Sequence, residues 1–146
     1  MLKNTVYLSR RYRFSASHRL YTDSLSKEAN EQIFGKCANP NGHGHNYGLT
    51  VTIRGNIDQA TGFVLPLELL DSIVFDKVVS AYDHKYLNVD VEDYFTNVPT
   101  GENMVYQIWE RLSAPLKTSL WCVTLDETRN NQFIYPEPKA EVSSGI

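Results

Sequence analysis

The stretch CANPNGHGHNYGLTVTIRG, residues 37–55, holds one of the chain's two cysteines and two of its four histidines within its first nine residues. It then alternates. His45, Tyr47, Leu49, Val51 and Ile53 take the odd positions, with Asn46, Thr50, Thr52 and Arg54 opposite. Period two over this length is the pattern of a half-buried β-strand. Upstream, Val6, Leu8, Arg10, Tyr12, Phe14, Ala16 and His18 share the even positions of residues 5–18, an apolar face broken only by Arg10. Side chains two apart in a strand lie about 7 Å apart on one face, so His43 and His45 project together beside Tyr47. An antiparallel pairing of the two strands brings the end of the first next to the start of the second. His18 then joins His43 and His45.

Further on, residues 120–128 place Trp121, Val123, Leu125 and Glu127 on one side and leave Cys122 opposite as a packing thiol. QFIY, residues 132–135, follows an Asn130-Asn131 turn and reads as its partner strand. Two helical patterns lie between. PLELLDSIVFDKVVSAY, residues 66–82, puts Leu67, Leu70, Val74, Val78 and Ala81 on one stripe, with Pro66 at the first helical position. TGENMVYQIWERLSAPLK, residues 100–117, offers Thr100 as N-cap, Glu102 in the first turn, and Val105, Ile108 and Leu112 on one face, with Pro115 in the last turn. The order ββ-αα-ββ predicts an α+β layer, a four-stranded antiparallel sheet with two helices on one face. Residues 19–44 show no apolar period. A stretch of that length without structure is disordered or functional, and this one ends at the histidines, which favours function.

A chain of 146 residues suits one core, expected as a single domain over residues 1–136 with a flexible C-terminal tail at 137–146. The net charge of −3 argues against nucleic acid as a partner. No apolar run spans a bilayer, and Lys3, Arg10 and Arg11 interrupt any signal peptide, so no membrane role and a cytoplasmic location are expected. In that compartment Cys37 and Cys122 stay reduced. Arg10, Arg11, Arg13, Arg19 and Lys36 form a local basic set, either a solvated strand edge or a site for an anionic ligand.

Three imidazoles at the end of an apolar face suit a divalent metal, zinc above all, with a fourth position left open. The plainer reading is a hydrogen-bonded histidine at a strand end. Gly42, Gly44 and Gly48 would let backbone and ligand approach closely, or serve turns and bulges. Cys37, next to Lys36, would be a base or nucleophile where a nearby cation and metal favour its thiolate, and otherwise an ordinary loop thiol. In YDHKYLN, residues 82–88, Asp83 would orient His84 as a proton shuttle if the two side chains meet. Failing that, His84 complements a helix end. Glu127 ends an apolar face and needs a partner if buried. A guanidine-like N–H edge would supply two charge-assisted hydrogen bonds; a solvated strand end is the alternative.

FSASHRL, GKCANPNGHGHNY, TGFV, YDHKYLN, TGEN and LDETRNNQFIY, in this order, resemble the 6-pyruvoyl tetrahydropterin synthase family. The resemblance spans the sequence from the first strand to Tyr135. It implies the T-fold, in which trimers close a β-barrel, two trimers form a hexamer, and active sites lie at subunit interfaces. It implies zinc on His18, His43 and His45, Cys37 as general base, and Asp83 with His84 as proton relay. Glu127 would grip a pterin ring, helped by Thr100 and Glu102, with Lys36 and Arg19 facing a triphosphate. The implied reaction converts 7,8-dihydroneopterin triphosphate to 6-pyruvoyl tetrahydropterin with loss of triphosphate, in tetrahydrobiopterin biosynthesis.

Two positions depart from the family pattern. Pro66 replaces a capping Asn or Asp, and Gly101 stands where Ser or Thr often precedes the pterin-contacting glutamate; both are expected to loosen substrate specificity. The rival reading is 6-carboxytetrahydropterin synthase of the queuosine pathway, whose members space the cysteine three residues before His-Gly-His. Here five residues, Ala38 to Gly42, intervene, which favours the pyruvoyl product. A non-catalytic zinc or pterin-binding module and a zinc hydrolase are the readings from other classes.

Overall fold

Alternation in the two long runs produces the strands it predicts. In a computed structural model that describes residues 4–136, β1 (Thr5–His18) and β2 (His43–Asn56) pair antiparallel along their whole length, His18 opposite His43, Ala16 opposite His45, and Phe14 opposite Tyr47. The tail expected at 137–146 lies outside the described residues. Phe14, Ala16, Tyr47, Leu49, Val51 and Ile53 line the buried face. The sheet continues through β4 (Leu120–Asp126) to β5 (Gln132–Tyr135), both antiparallel to their neighbours. A fifth strand, β3 (Lys85–Tyr86), adds parallel to the end of β1 at Ala16 and Ser17. The sheet is therefore mixed, in the order β3-β1-β2-β4-β5. The four expected antiparallel strands are present; two residues of YDHKYLN supply the unexpected one.

Helices cover the apolar face. α2 (Leu67–Val74) runs through a π-helical turn, Phe75–Val79, into α3 (Ser80–Tyr82), and a short α4 (Leu87–Asp90) follows β3. α5 (Gly101–Leu116) begins at its Thr100 cap and contains Pro115 in its last turn. Leu70, Val74, Val78, Met104, Ile108 and Leu112 are wholly buried against the sheet. Each such residue contributes roughly 1.5–3 kcal/mol relative to exposure. Pro66 is the N-cap of α2 rather than its first helical residue, and no polar side group caps that helix.

Arg10, the exception on the apolar face of β1, donates through Nε and Nη2 to the two Asp71 oxygens at 2.6 and 2.8 Å. Tyr12 Oη donates to the same carboxylate. Arg10 is thus a sheet-to-helix tie and leaves the basic set proposed for an anion.

The sequence pattern fails at two places. Residues 19–44 contain a helix, α1 (Lys27–Phe34), capped by Ser26 Oγ accepting from Ala29 N, and then a 3₁₀ turn, Gly35–Ala38. Its inward residue is Asn30, wholly buried, whose amide donates to the carbonyls of Thr22, Leu25 and Ser26. With a polar residue facing inward, the helix shows no apolar period. In β4 a bulge falls at Trp121, so that Ile53 pairs with Leu120 while Thr52 pairs with Cys122. Leu120 takes the core position, and Trp121 turns to the opposite face against Tyr7 and Arg54. Among the described residues no helix is long and apolar enough to cross a membrane.

Candidate metal centre and active site

The β1–β2 register delivers the three histidines. Their ring centroids lie 4.7, 5.0 and 4.8 Å apart in the pairs His18–His43, His18–His45 and His43–His45. All three pairs meet edge-on, at 74–88°. One ligand nitrogen from each lies within 4.8 Å of the other two. His18 Nε2 and His43 Nε2 stand 3.1 Å apart.

His18 is wholly buried, and its Nδ1 lies 2.8 Å from the carbonyl oxygen of Pro99. A carbonyl only accepts, so Nδ1 carries the proton and Nε2 presents its lone pair to the cluster. Burial pushes the His18 pKa down to about 4, and burial also lowers that of His45. Neutral rings are the form a metal binds. His45 Nε2 is buried with no hydrogen-bond partner. A buried nitrogen left unpaired is costly, and a cation shared by three facing lone pairs resolves it. The donor set fits zinc: three neutral imidazoles with room for a fourth ligand.

Cys37 is brought to this end of the sheet by two ties between the 3₁₀ turn and the residues after β1. Leu20 N donates to Cys37 O at 2.8 Å, and Arg19 Nε donates to Ala38 O at 2.9 Å. The Arg19 guanidinium also lies 3.9 Å over the Tyr21 ring. Burial and the Glu127 carboxylate push the Cys37 thiol up. Both act against the thiolate, which a metal cation beside the thiol would favour.

Glu127 lies within electrostatic range of Cys37, His45 and Tyr47; it adds to burial in raising the pKa of Cys37 and Tyr47, and at His45 it opposes the burial that leaves that ring lowered. It is half-buried just beyond β4. The turn after it holds its place: Glu127 N donates to Asn131 O, and Thr128 Oγ1 accepts from the backbone of Asn130 and Asn131. Thr100 caps α5, its Oγ1 accepting from Asn103 N at 3.2 Å, while Glu102 is exposed in the first turn. Gly101 is buried because the Phe133 ring fills the space a Cβ would need. The departure at this position is a packing solution that joins α5 to β5.

Asp83 and His84 do meet, Nδ1 to Oδ2 at 3.0 Å. Asp83 Oδ1 accepts from Ser15 N at 2.9 Å, and that bond, with His84, holds its carboxyl below the usual range. His84 adopts φ of 60°, and its backbone N–H donates to Ser15 O. This turn starts β3. His84 borders a depression of about 550 Å³ whose lining includes Ser15, Ser17, Gly44 and Asn46 and also Ala16 and His45. Ser15, Ser17, Gly44 and Asn46 alternate along the two strands with Ala16, His18, His43 and His45. The structure unites His18, His43 and His45, sets Cys37 and Glu127 beside them, and leaves Asp83 and His84 outside the cluster of ligand atoms. The sequence reading missed the Pro99 carbonyl, since a backbone acceptor leaves no residue signature. It also missed the Tyr47 hydroxyl, 3.3 Å from His18 Nδ1.

Comparison with known proteins agrees with this geometry. The family model described as 6-pyruvoyl tetrahydropterin synthase matches residues 7–138. The human protein named 6-pyruvoyl tetrahydrobiopterin synthase is 46% identical over 129 residues, covering 88% of this chain and 89% of that protein. Its namesake from Dictyostelium discoideum is 43% identical, over 92% and 98% of the two proteins. The solved structure of Caenorhabditis elegans 6-pyruvoyl tetrahydropterin synthase superposes with a TM-score of 0.86 at 40% identity, over 90% of this chain and 94% of that one. With the fold, the histidine cluster and the sequence in agreement along most of its length, the chain belongs to the 6-pyruvoyl tetrahydropterin synthase family.

Proposed function

We propose that this protein is a zinc-dependent lyase that converts 7,8-dihydroneopterin triphosphate to 6-pyruvoyl tetrahydropterin with elimination of triphosphate. The observation that carries the reading is the unpartnered His45 Nε2 in a ring of three facing imidazoles, with Cys37 and Glu127 at its side. His18, His43 and His45 hold the zinc. When bound, the ion supplies Lewis acidity toward the hydroxyls of the substrate's side arm and positive charge that lowers the Cys37 pKa.

Glu127 accepts the adjacent N–H groups of the pterin ring, and Thr100 and Glu102 border the same ligand. Cys37, as general base, removes a carbon-bound proton next to those hydroxyls. Asp83 fixes His84 so that its imidazole returns or removes a second proton. Within one protomer the pair sits beside Ser15 at the β3 edge of the sheet, outside the cluster of ligand atoms, which supports a site completed by a neighbouring copy. Apart from the two β3 pairs, the outer edge of β1 carries no strand among the described residues. Such an edge favours closure with another copy into a barrel, and a homo-hexamer of two trimers is the assembly proposed. The five-residue spacing between Cys37 and His43 favours the pyruvoyl over the carboxy product.

The test is incubation of the zinc-loaded protein with 7,8-dihydroneopterin triphosphate and identification of products by mass. Pyruvoyl product with free triphosphate is expected. Acetaldehyde with the carboxy product would replace the assignment by its rival, and tight pterin binding without turnover would mean a binding module.

A further inference from the structure

The TGEN motif supplies Thr100 and Glu102 to the proposed pterin contact, yet its last residue, Asn103, has no role in that reading. Its amide is nonetheless committed. Asn103 Nδ2 donates to the carbonyl of Val98 at 2.8 Å. The same carbonyl accepts from Thr100 N at 2.8 Å, closing a tight turn centred on Pro99. The carbonyl of Pro99 and the N–H of Thr100 belong to one planar peptide unit and point in opposite directions. Fixing the N–H toward Val98 therefore aims the Pro99 carbonyl the other way, and it meets His18 Nδ1 at 2.8 Å. Thr100 caps α5 by bonding the backbone N–H of Asn103, so the cap does not need the Asn103 amide group.

We propose that Asn103 is a positioning residue for the metal ligand His18. It clamps the Val98–Thr100 turn, the turn holds the Pro99 carbonyl on His18 Nδ1–H, and that bond sets the ring's tautomer and orientation toward the ion. Outer-shell partners of this kind are worth about 10–100-fold in metal affinity. The inference rests on the assignment of His18, His43 and His45 as the metal site. It also ties that site to the segment carrying Thr100 and Glu102, because one turn serves both.

Asn103→Asp is the discriminating variant. It keeps the shape, removes the donor to Val98, and places a carboxylate in the first turn of a helix, where it favours the helix. A merely structural role predicts a shift in thermal stability, from the lost bond to Val98 against the gain at the helix end, with unchanged metal binding. Positioning predicts a loss of about tenfold or more in zinc affinity, read by competition with a chromophoric chelator, and an altered visible spectrum of the cobalt-substituted protein. Wild-type affinity together with a wild-type cobalt spectrum in Asn103→Asp would overturn the proposal. Asn103→Ala is measured alongside it. In the unmodified protein, zinc loading should slow hydrogen exchange at the Thr100 amide, and an unchanged rate would also overturn it. If His43→Ala binds zinc as tightly as the unmodified protein, the assignment of the metal site itself fails, whatever Asn103 does.

Discussion

His18 and His43 face each other across the last pair of the β1–β2 ladder, with their Nε2 atoms 3.1 Å apart. The Nδ1 proton of His18 is already given to Pro99. Two ring nitrogens at that distance need a proton or a cation between them, and the third, on His45, has no partner at all. Chelator-treated protein should therefore lose turnover and melt several degrees lower, both restored by stoichiometric zinc. Calorimetry with and without zinc checks this, and activity undiminished after verified metal removal would end the reading.

Cys37→Ala should leave zinc and pterin affinity within about twofold of the unmodified protein while turnover falls by at least about 10²-fold. Removing the thiol should spare the fold, because the bonds that seat its turn go to backbone atoms of Cys37 and Ala38. Steady-state kinetics beside equilibrium binding separates the two effects. Unchanged turnover would remove the cysteine from the base role.

Glu127→Leu keeps the volume and removes the charge. Pterin affinity should drop by about tenfold or more, as expected when a pair of charge-assisted hydrogen bonds is lost. The Cys37 pKa should fall as well, since Glu127 is one of the two causes that raise it. Thiol alkylation rates against pH on the metal-free protein read that second effect.

Gly101→Ala would push a methyl group into the Phe133 ring. Overpacking of this kind costs about 1–3 kcal/mol. Combining it with Phe133→Leu should recover part of the loss, a coupling that denaturant melts of the four proteins in a double-mutant cycle measure. Additive losses would mean that the ring moves aside freely.

Acid should weaken the metal-free fold through His18. Burial holds its folded pKa at about 4, below its ordinary 6.5. The unfolded polypeptide thus takes up the proton first as pH falls. The contribution is complete above about pH 6.5 and is lost progressively down to about pH 4. Its full size is roughly 3 kcal/mol. Denaturant melts at about pH 7 and about pH 4.5 should show a smaller difference in His18→Gln than in the unmodified protein.

Much of the fold was legible in the amino-acid sequence. Residues 5–18 and the run from His45 alternate over many positions, and a one-residue slip in either would turn every buried side group to water. The shared face of His18, His43 and His45 follows from that constraint, while the pairing of His18 opposite His43 is set by the folded ladder. The cap at Thr100 and the apolar stripes of α2 and α5 are equally local. The α1 helix escaped notice because Asn30 is its buried residue, although Ser26 and Gly35 bracket it as N-cap and C-cap. Those caps were the available signal.

Other features belong to the tertiary structure alone. The bulge at Trp121 reverses a residue's facing without any change of composition to announce it. The contact of Asp83 with His84 depends on a left-handed backbone at His84 and on the Ser15 peptide, which lies far away in sequence. The Pro99 carbonyl reaches His18 across eighty-one positions of sequence. Periodicity records which face a residue shows to the core. Bonds between distant backbone groups are set only when the layers close on one another.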